Sequence, residues 1–244
     1  MSSQIPSIFA YDPLTMLEAS SQSAVRPVIF VHVPKAGGSS MLRQFEAGFG
    51  PALLQDYDRP PLSREGGAPG EPLPAGTRAV IGHFHAARYD RVAHAFRATI
   101  LRHPVDNLIS IFFFWRTLAP ARNVPAHLRF LAESPSFEAF ARYPEFRTLM
   151  SVAYFGGYDM DRFDFIGFHE TRSDDIPLLA KAIGIPLDPA VHVNRTHADA
   201  REVAALRSDA PLMRRVKKSL ADDVIFYEKA VARRSPSRTR TFVP

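Results

Sequence analysis

Residues 28–40 read Val28-Ile-Phe-Val-His-Val-Pro-Lys35-Ala-Gly-Gly-Ser-Ser40. The first six form a short, mostly β-branched apolar run, which is typical of a core strand in a parallel sheet. Pro34 then ends the strand because it has no backbone donor for the ladder. The glycine pair lets the backbone approach a ligand, and we expect Ser39 and Ser40 to cap a following helix. Free amides, a positive helix end and the Lys35 ammonium therefore predict an anion-binding turn.

A second segment repeats this strand-to-helix pattern at residues 98–115, Ala98-Thr-Ile-Leu-Arg102-His-Pro-Val-Asp-Asn-Leu-Ile-Ser110-Ile-Phe-Phe-Phe-Trp115. Pro104 stands where the first helical turn tolerates proline, and Ser110 lies about two helical turns beyond Arg102. A guanidinium can donate two hydrogen bonds to one phosphate and keeps its charge at any working pH. Arg102 is therefore predicted to bind an anion. The alternative is that Arg102 pairs with Asp106 and Ser110 merely lines the helix.

A third apolar run, residues 79–82, ends at Gly82 and presents His83 at its tip. The tips of strands in parallel α/β sheets are where ligands bind and chemistry occurs. Neutral imidazole is suited to accept a proton near pH 7, so His83 is a candidate general base. His85 lies on the same side of an extended strand and is the alternative base. His32, inside the first strand, is predicted to be a packed residue.

The first two segments together resemble a known family of nucleotide-using enzymes. They differ from the ATPase phosphate loop, G-x-x-x-x-G-K-[ST], because the lysine precedes the glycines. They resemble the 5′-phosphosulfate loop and the 3′-phosphate signature of sulfotransferases that use 3′-phosphoadenosine 5′-phosphosulfate (PAPS). The resemblance is strongest to the carbohydrate branch, which includes heparan 2-O-sulfotransferases, and suggests a bacterial member. It implies a three-layer α/β fold like that of P-loop nucleotide kinases, with a mainly parallel central sheet flanked by helices.

The same resemblance implies roles for individual residues. His83 is similar to the catalytic histidine of the Gly-His pair in that branch, and Lys35 would stabilise charge on the leaving group. A strand within residues 162–170, a helix from Ser173 that stops at Gly184, and the triplet Asn194-Arg195-Thr196 also follow the order of the family. The triplet is similar to a loop that closes over the nucleotide. The implied nucleotide-binding residues are Lys35, Ala36, Gly37, Gly38, Ser39, Ser40, Arg102, Ser110 and Arg195.

The implied activity is transfer of a sulfuryl group from PAPS to a hydroxyl, with 3′,5′-ADP as product and no required metal. The resemblance favours a carbohydrate or glycolipid acceptor, while amine, phenol and small-alcohol acceptors stay open. Two alternatives also stay open. One is an ATP-dependent small-molecule kinase of similar fold, and the other is a non-catalytic nucleotide-binding protein.

Composition and length predict one globular α/β domain at residues 27–232. The 244 residues are 46% hydrophobic and 23% charged, which is typical of a folded soluble protein. We expect residues 59–77, which are rich in Pro and Gly, to form a mobile loop. Without cysteine the chain has no disulfides or thiolate metal sites.

The ends of the chain differ from the domain between them. The extension at residues 1–26 lacks the pattern of a secretion signal, and no apolar run approaches the ~20 residues of a spanning helix, so we expect a cytoplasmic protein. Four arginines near the C-terminus carry most of the net charge of +5, which argues against nucleic-acid binding by the domain. We expect residues 233–244 to be a disordered basic tail capable of a weak contact with an anionic membrane surface.

Overall fold

The computed structural model describes residues 26–57, 70–120, 124–191 and 199–237. Within these residues the core is a sheet of five strands, in which every neighbouring pair is parallel. The strand order is β2-β3-β1-β4-β5. The strands are β1 (Val28–His32), β2 (Leu53–Asp56), β3 (Ala79–Gly82), β4 (Phe96–Leu101) and β5 (Phe165–Phe168).

Helices connect the strands and cover the sheet. The α-helices are α1 (Gly38–Phe49), α2 (Pro104–Trp115), α3 (Pro125–Glu133), α4 (Phe137–Phe140), α5 (Pro144–Arg147), α6 (Arg172–Ile183), α7 (Ala200–Ser208), α8 (Ala210–Ser219) and α9 (Ala221–Ser237). A π-helix spans Leu149–Tyr154, and short 3₁₀ turns span Gly50–Ala52, Ala86–Tyr89, Met160–Arg162 and His169–Thr171. Gly184 ends α6 with a φ of 71°, as its sequence position predicts.

The sheet is buried on both faces, as the near-continuous apolar strands require. Successive residues of β1 alternate between two cores, since side chains along a strand point to opposite faces. Val28 and Phe30 pack with α1 and α6, whereas Ile29 and Val31 pack with the π-helix and α9. The three-layer α/β architecture predicted from the sequence is therefore confirmed.

The sheet order fixes where a ligand can bind. After β1 the chain leaves toward the β2 side of the sheet, and after β3 it crosses to β4 on the other side of β1. The strand order thus reverses between β1 and β4, and in open parallel sheets the crevice outside such strand ends is the ligand site. The register pairs Val31 with Thr99 and His32 with Ile100, so both strands end side by side.

The aromatic run of α2 belongs mainly to a third apolar core, which lies between α2, α3, α4 and α8. Phe112 packs edge-on against three phenylalanines, and Trp115 packs against Phe146 with ring centroids 5.0 Å apart. Burying one such ring stabilises the fold by about 1.5–3 kcal/mol. Most of these aromatics therefore have a packing role.

The structure changes one predicted segment boundary and adds contacts at the end of another segment. The basic tail does not begin at residue 233, because α9 continues to Ser237. Composition was misleading here, since Arg234 hydrogen-bonds the carboxylate of Asp175 and the hydroxyl of Thr171 in the folded domain. Residues 70–77 have no regular structure, but the amides of Gly70 and Glu71 bond the carbonyl oxygen of Arg88 over 3.0 and 2.6 Å.

Four predicted segments fall partly or wholly outside the described residues. The extension at residues 1–26 is described only at Arg26, the loop at 59–77 only from Gly70, and the basic tail at 233–244 only to Ser237, while the triplet that contains Arg195 lies wholly outside. In the described part of the chain, no helix has both the length and the apolar character needed to cross a membrane.

Candidate functional site

The turn after β1 leaves the start of α1 open. Lys35 and Gly37 both adopt left-handed backbone conformations, with φ of 59° and 101°. Gly37 is the N-cap residue and has no side chain to cap the helix. The prediction that Ser39 and Ser40 cap α1 is therefore wrong, because the left-handed Gly37 starts the helix earlier and places both serines inside its first turn. The amides of that turn have no partner within the helix and can bind an anion.

Arg102 connects the turn after β1 with the junction between β4 and α2. Its Nη1 donates to the backbone oxygen of Lys35 over 3.1 Å, and its Nε is buried with no hydrogen-bond partner among the described residues. Asn107 on α2 also bonds this turn, donating to the oxygen of Pro34 over 2.7 Å. Asp106 instead bonds Arg207 over 2.6 Å, so the alternative in which Asp106 takes the Arg102 guanidinium is not what the structure shows.

The Lys35 ammonium packs against a side chain of α2. Its Nζ is 3.9 Å from the centroid of the Phe114 ring, within the range of a cation–π contact. Ser110 lies one helical turn before Phe114, on the same face of α2 as the ring that Lys35 contacts. Burial, together with the nearby Arg102 charge, lowers the pKa of Lys35 to about 8. Asp106 and Glu170 act on Arg102 from a distance, but no acid among the described residues forms an ion pair with Lys35 or Arg102, so the two cations favour an anion between them.

His83 lies at the tip of β3, in a buried group of rings. Its ring centroid is 4.6 Å from that of His32 and 4.8 Å from that of Tyr57. Its backbone amide bonds the oxygen of Asp56, but its Nε2 is buried without a partner in the described part of the chain. Burial lowers the pKa of His83 to about 4, so the ring is neutral at physiological pH. A neutral imidazole with a free ring nitrogen can accept a proton.

His85, the alternative base, is held by the backbone at both ring nitrogens. Ala87 donates its amide to Nδ1 over 3.1 Å, so the ring proton is on Nε2, which donates to the oxygen of Gly156 over 3.1 Å. The strand ends at Gly82, and His85 begins the next 3₁₀ turn as its N-cap. Both nitrogens of His85 are therefore used structurally, in contrast to His83.

His32 is buried, as predicted for a packed strand residue, and it also contacts Tyr57 and α1 at the site. Its Nδ1 shares a hydrogen bond of 2.8 Å with the hydroxyl of Tyr57, and its Nε2 would lie 1.7 Å from a Cβ placed on Gly38. Gly38 is thus required because the His32 ring fills the space of a side chain. Burial lowers the pKa of His32 well below its usual value, and His83 and Lys35 add to this effect.

Sequence reasoning missed Tyr57 and His169. Tyr57 directly follows β2, and His169 directly follows β5, where its Nδ1 lies 3.5 Å from a Cβ placed on Gly37. One rule would have found both, because each is the first polar side chain after a strand of a parallel sheet. The same rule applies to Lys35, His83 and Arg102, which are the first polar side chains after β1, β3 and β4.

The described site joins an open helix start, two cationic side chains and a neutral histidine at one edge of the sheet. It can hold an anion of more than one charge beside a group that accepts a proton. In the described part of the chain, no three His, Asp or Glu side chains lie together as metal ligands would. The predicted contact Arg195 lies outside the described residues.

Comparison with known proteins adds only distant similarities. No protein-family model and no curated protein matches the chain. Among solved structures, it is similar to mouse sulfotransferase SULT7A1 complexed with PAP, with 16% identity over 75% of this chain and a TM-score of 0.32. It is also similar to a sulfotransferase from Alicyclobacillus acidocaldarius, with 17% identity over 80% of this chain and 96% of that one, and a TM-score of 0.35. The chain covers 63% of the mouse protein, less than two thirds of its length. Similarities at this level assign neither fold nor function, so the assignment has to come from the chain's own residues.

Proposed function

We propose that this protein is a PAPS-dependent O-sulfotransferase. The observation that carries the proposal is the bond between Arg102 and the turn of Lys35, which places the two sequence motifs around one crevice. These motifs resemble the two phosphate-binding signatures of that family. A ligand with phosphate groups at both ends would match two cationic sites at a fixed separation.

The residues present fit such a ligand. The buried Nε of Arg102 has no partner among the described residues, and a buried polar atom without a partner costs about 1–3 kcal/mol. A phosphate oxygen would remove that cost. The Gly37–Gly38 backbone and the open first turn of α1 offer amide donors to a second anionic group, with Lys35 beside them. Ser110 supplies a neutral donor from α2.

When bound, PAPS supplies the sulfuryl group and a leaving group that carries away negative charge. Lys35 and the amides of residues 37–40 stabilise that charge, and they need no reorganisation because the turn is already built. Arg102 and Ser110 bind the nucleotide and fix its position. His83 accepts the proton of the acceptor hydroxyl at Nε2, the ring nitrogen that the described residues leave free.

The resemblance to the carbohydrate branch supports a hydroxyl of a glycan or glycolipid as acceptor. The test is a transfer assay with ³⁵S-labelled PAPS against a panel of cell-envelope glycans, glycolipids, phenols, amines and small alcohols. We expect label on a hydroxyl acceptor and none with Lys35→Ala. If labelled PAPS transfers nothing to any class although the protein binds 3′,5′-ADP, the enzyme assignment is wrong. If the protein binds ATP and not 3′,5′-ADP, the assignment as a sulfotransferase is wrong and the kinase alternative is favoured.

A further inference from the structure

A third strand end contributes to the phosphate turn. β5 is followed directly by a 3₁₀ turn that starts at His169, at the same edge of the sheet as Lys35 and Arg102. The Nδ1 atom of His169 lies 3.5 Å from a Cβ placed on Gly37, and the ring lies near the backbone of Ala36, which acts to raise its pKa. The imidazole therefore forms one wall of the turn.

Arg172, in the first turn of α6, lies on the same side of the turn. It lines one small cavity with His169, Ala36 and Gly37. Its Nη2 donates to the backbone oxygen of Val191 over 2.7 Å. A second guanidinium is thus held near the turn.

The charges around His169 are mostly positive. Arg102 faces it from the β4–α2 junction and Arg172 from α6, while Glu170 is its neighbour in the same 3₁₀ turn. The Glu170 carboxylate is engaged elsewhere, because Oε1 accepts from the amide of His103 and Oε2 from the hydroxyl of Tyr227. Burial lowers the pKa of His169, the two arginines lower it further, and Glu170 and the Ala36 contact oppose them. Without a ligand the ring is therefore mostly neutral near pH 7.

An anion in the turn would reverse this balance. It would offset the repulsion from both arginines and favour the imidazolium, which can donate from both ring nitrogens. We propose that His169 is a further contact for the phosphate-bearing ligand and that it takes up a proton when this ligand binds. The identity of the ligand, a nucleotide with phosphates at both ends, rests on the proposed function. Ligand binding is then coupled to pH through a residue that neither motif contains.

The coupling has a defined sign. Because the ligand raises the proton affinity of His169, its binding tightens as the pH falls and weakens as the pH rises through the bound-state pKa of the ring. The terminal phosphate of the nucleotide also titrates near pH 6 and favours binding in the opposite direction. This second effect is the same in any variant, so the comparison of wild type with a His169 variant isolates the histidine.

The test is calorimetric titration with 3′,5′-ADP between pH 6 and 8, in two buffers of different ionisation enthalpy. The proteins are wild type, His169→Asn and the control His94→Asn, since His94 is exposed beside the start of β4 with a left-handed backbone that Asn tolerates. We expect wild type and His94→Asn to take up more protons on binding than His169→Asn. We also expect His169→Asn to bind several-fold more weakly at pH 6 and to approach wild type at pH 8.

Equal proton uptake and equal pH dependence in wild type and His169→Asn would overturn the inference while leaving the proposed function intact. Failure of wild type itself to bind 3′,5′-ADP would overturn the proposed function and the inference together. A second measurement works even if His169→Asn folds poorly. The imidazole NMR signals of wild type should show one histidine pKa that rises when 3′,5′-ADP is added, and no rise in any histidine pKa would contradict the proposal.

Discussion

The guanidinium of Arg102 donates a hydrogen bond of 3.1 Å to the backbone oxygen of Lys35. The two residues are 67 positions apart in sequence, and they meet because β1 and β4 are parallel neighbours whose carboxyl ends lie side by side. The left-handed backbone of Lys35, with a φ of 59°, is thereby fixed from outside its own loop. The Arg102 side chain thus helps to hold the turn that carries Lys35 before any ligand arrives.

The lowered pKa of Lys35 predicts a pH dependence of nucleotide binding. The ammonium is protonated below its pKa of about 8 and is progressively lost above it. A bound anion raises that pKa. Lys35 should therefore add no pH dependence to the affinity for 3′,5′-ADP below pH 8, and above pH 8 the affinity should fall by up to tenfold per pH unit. Calorimetry between pH 7 and 10 checks this. Lys35→Arg should remove the fall, and a fall that persists in Lys35→Arg would assign the titration to another group.

The different bonding of His83 and His85 predicts different variant phenotypes. His83→Asn should lower the transfer rate by about 10²–10⁴-fold without changing the affinity for 3′,5′-ADP, since a general base acts only in the reaction. His85→Ala should lower the free energy of unfolding by about 1–3 kcal/mol because it removes two buried hydrogen bonds. The folded fraction of His85→Ala should retain transfer. Transfer rates at pH 6–8 and denaturant unfolding of both variants check this. If His85→Ala loses transfer while His83→Asn keeps it, the general base is His85.

The contact between His32 and Gly38 predicts a rescue. A Cβ at Gly38 would lie 1.7 Å from Nε2 of His32, so Gly38→Ala should cost about 1–3 kcal/mol of stability through overpacking. His32→Ala empties that space. On this background Gly38→Ala should be neutral or stabilising, because alanine is favoured over glycine in a helix by about 1 kcal/mol. A double-mutant cycle in urea measures the coupling, and two additive costs would show that the clash is absent.

A buried ion pair beneath the site predicts a large loss of stability. The carboxylate of Asp56, at the end of β2, accepts from Arg88 over 2.8 Å and from the hydroxyl of Tyr89 over 2.9 Å. Arg88 is only 2% exposed. Asp56→Asn would remove the nearer carboxylate and leave the buried guanidinium with Glu71, whose Oε1 lies 4.0 Å from Nε, at a cost of about 3 kcal/mol. Asp161, whose pair with Arg233 is exposed, provides the control, and Asp161→Asn should change stability by less than about 1 kcal/mol. Equal losses in urea unfolding would contradict this account.

The sequence predicted the secondary-structure elements that surround the candidate site, because they are local in the chain. A strand, a turn and a helix within one stretch are indicated by hydrophobic periodicity and by the Pro and Gly residues at their ends, as at residues 28–40 and 98–115. Position along a helix was less predictable. Ser39 and Ser40 were expected to cap α1, but whether Gly37 or a serine acts as the cap depends on a backbone angle that composition does not determine.

Contacts between strands could not be predicted without the order of the sheet. Tyr57, His32 and His83 meet because β2, β3 and β1 are neighbours, and His169 reaches Gly37 because β5 lies at the edge beyond β4. The alternation of β1 side chains between two cores follows from pattern alone, whereas strand order does not. The basic segment at residue 233 was misjudged for a related reason, since Asp175 on α6 is the partner that orders Arg234.

The central claim is that Lys35 and Arg102 hold opposite ends of one doubly phosphorylated adenosine. Its most direct test is calorimetric binding of 3′,5′-ADP and 5′-AMP to wild type and Arg102→Ala. Wild type should prefer 3′,5′-ADP by about tenfold or more, since a charge-assisted hydrogen bond is worth about 1.5–3 kcal/mol, and Arg102→Ala should lose that preference. A preference that survives unchanged in Arg102→Ala, or that wild type lacks, would contradict the account.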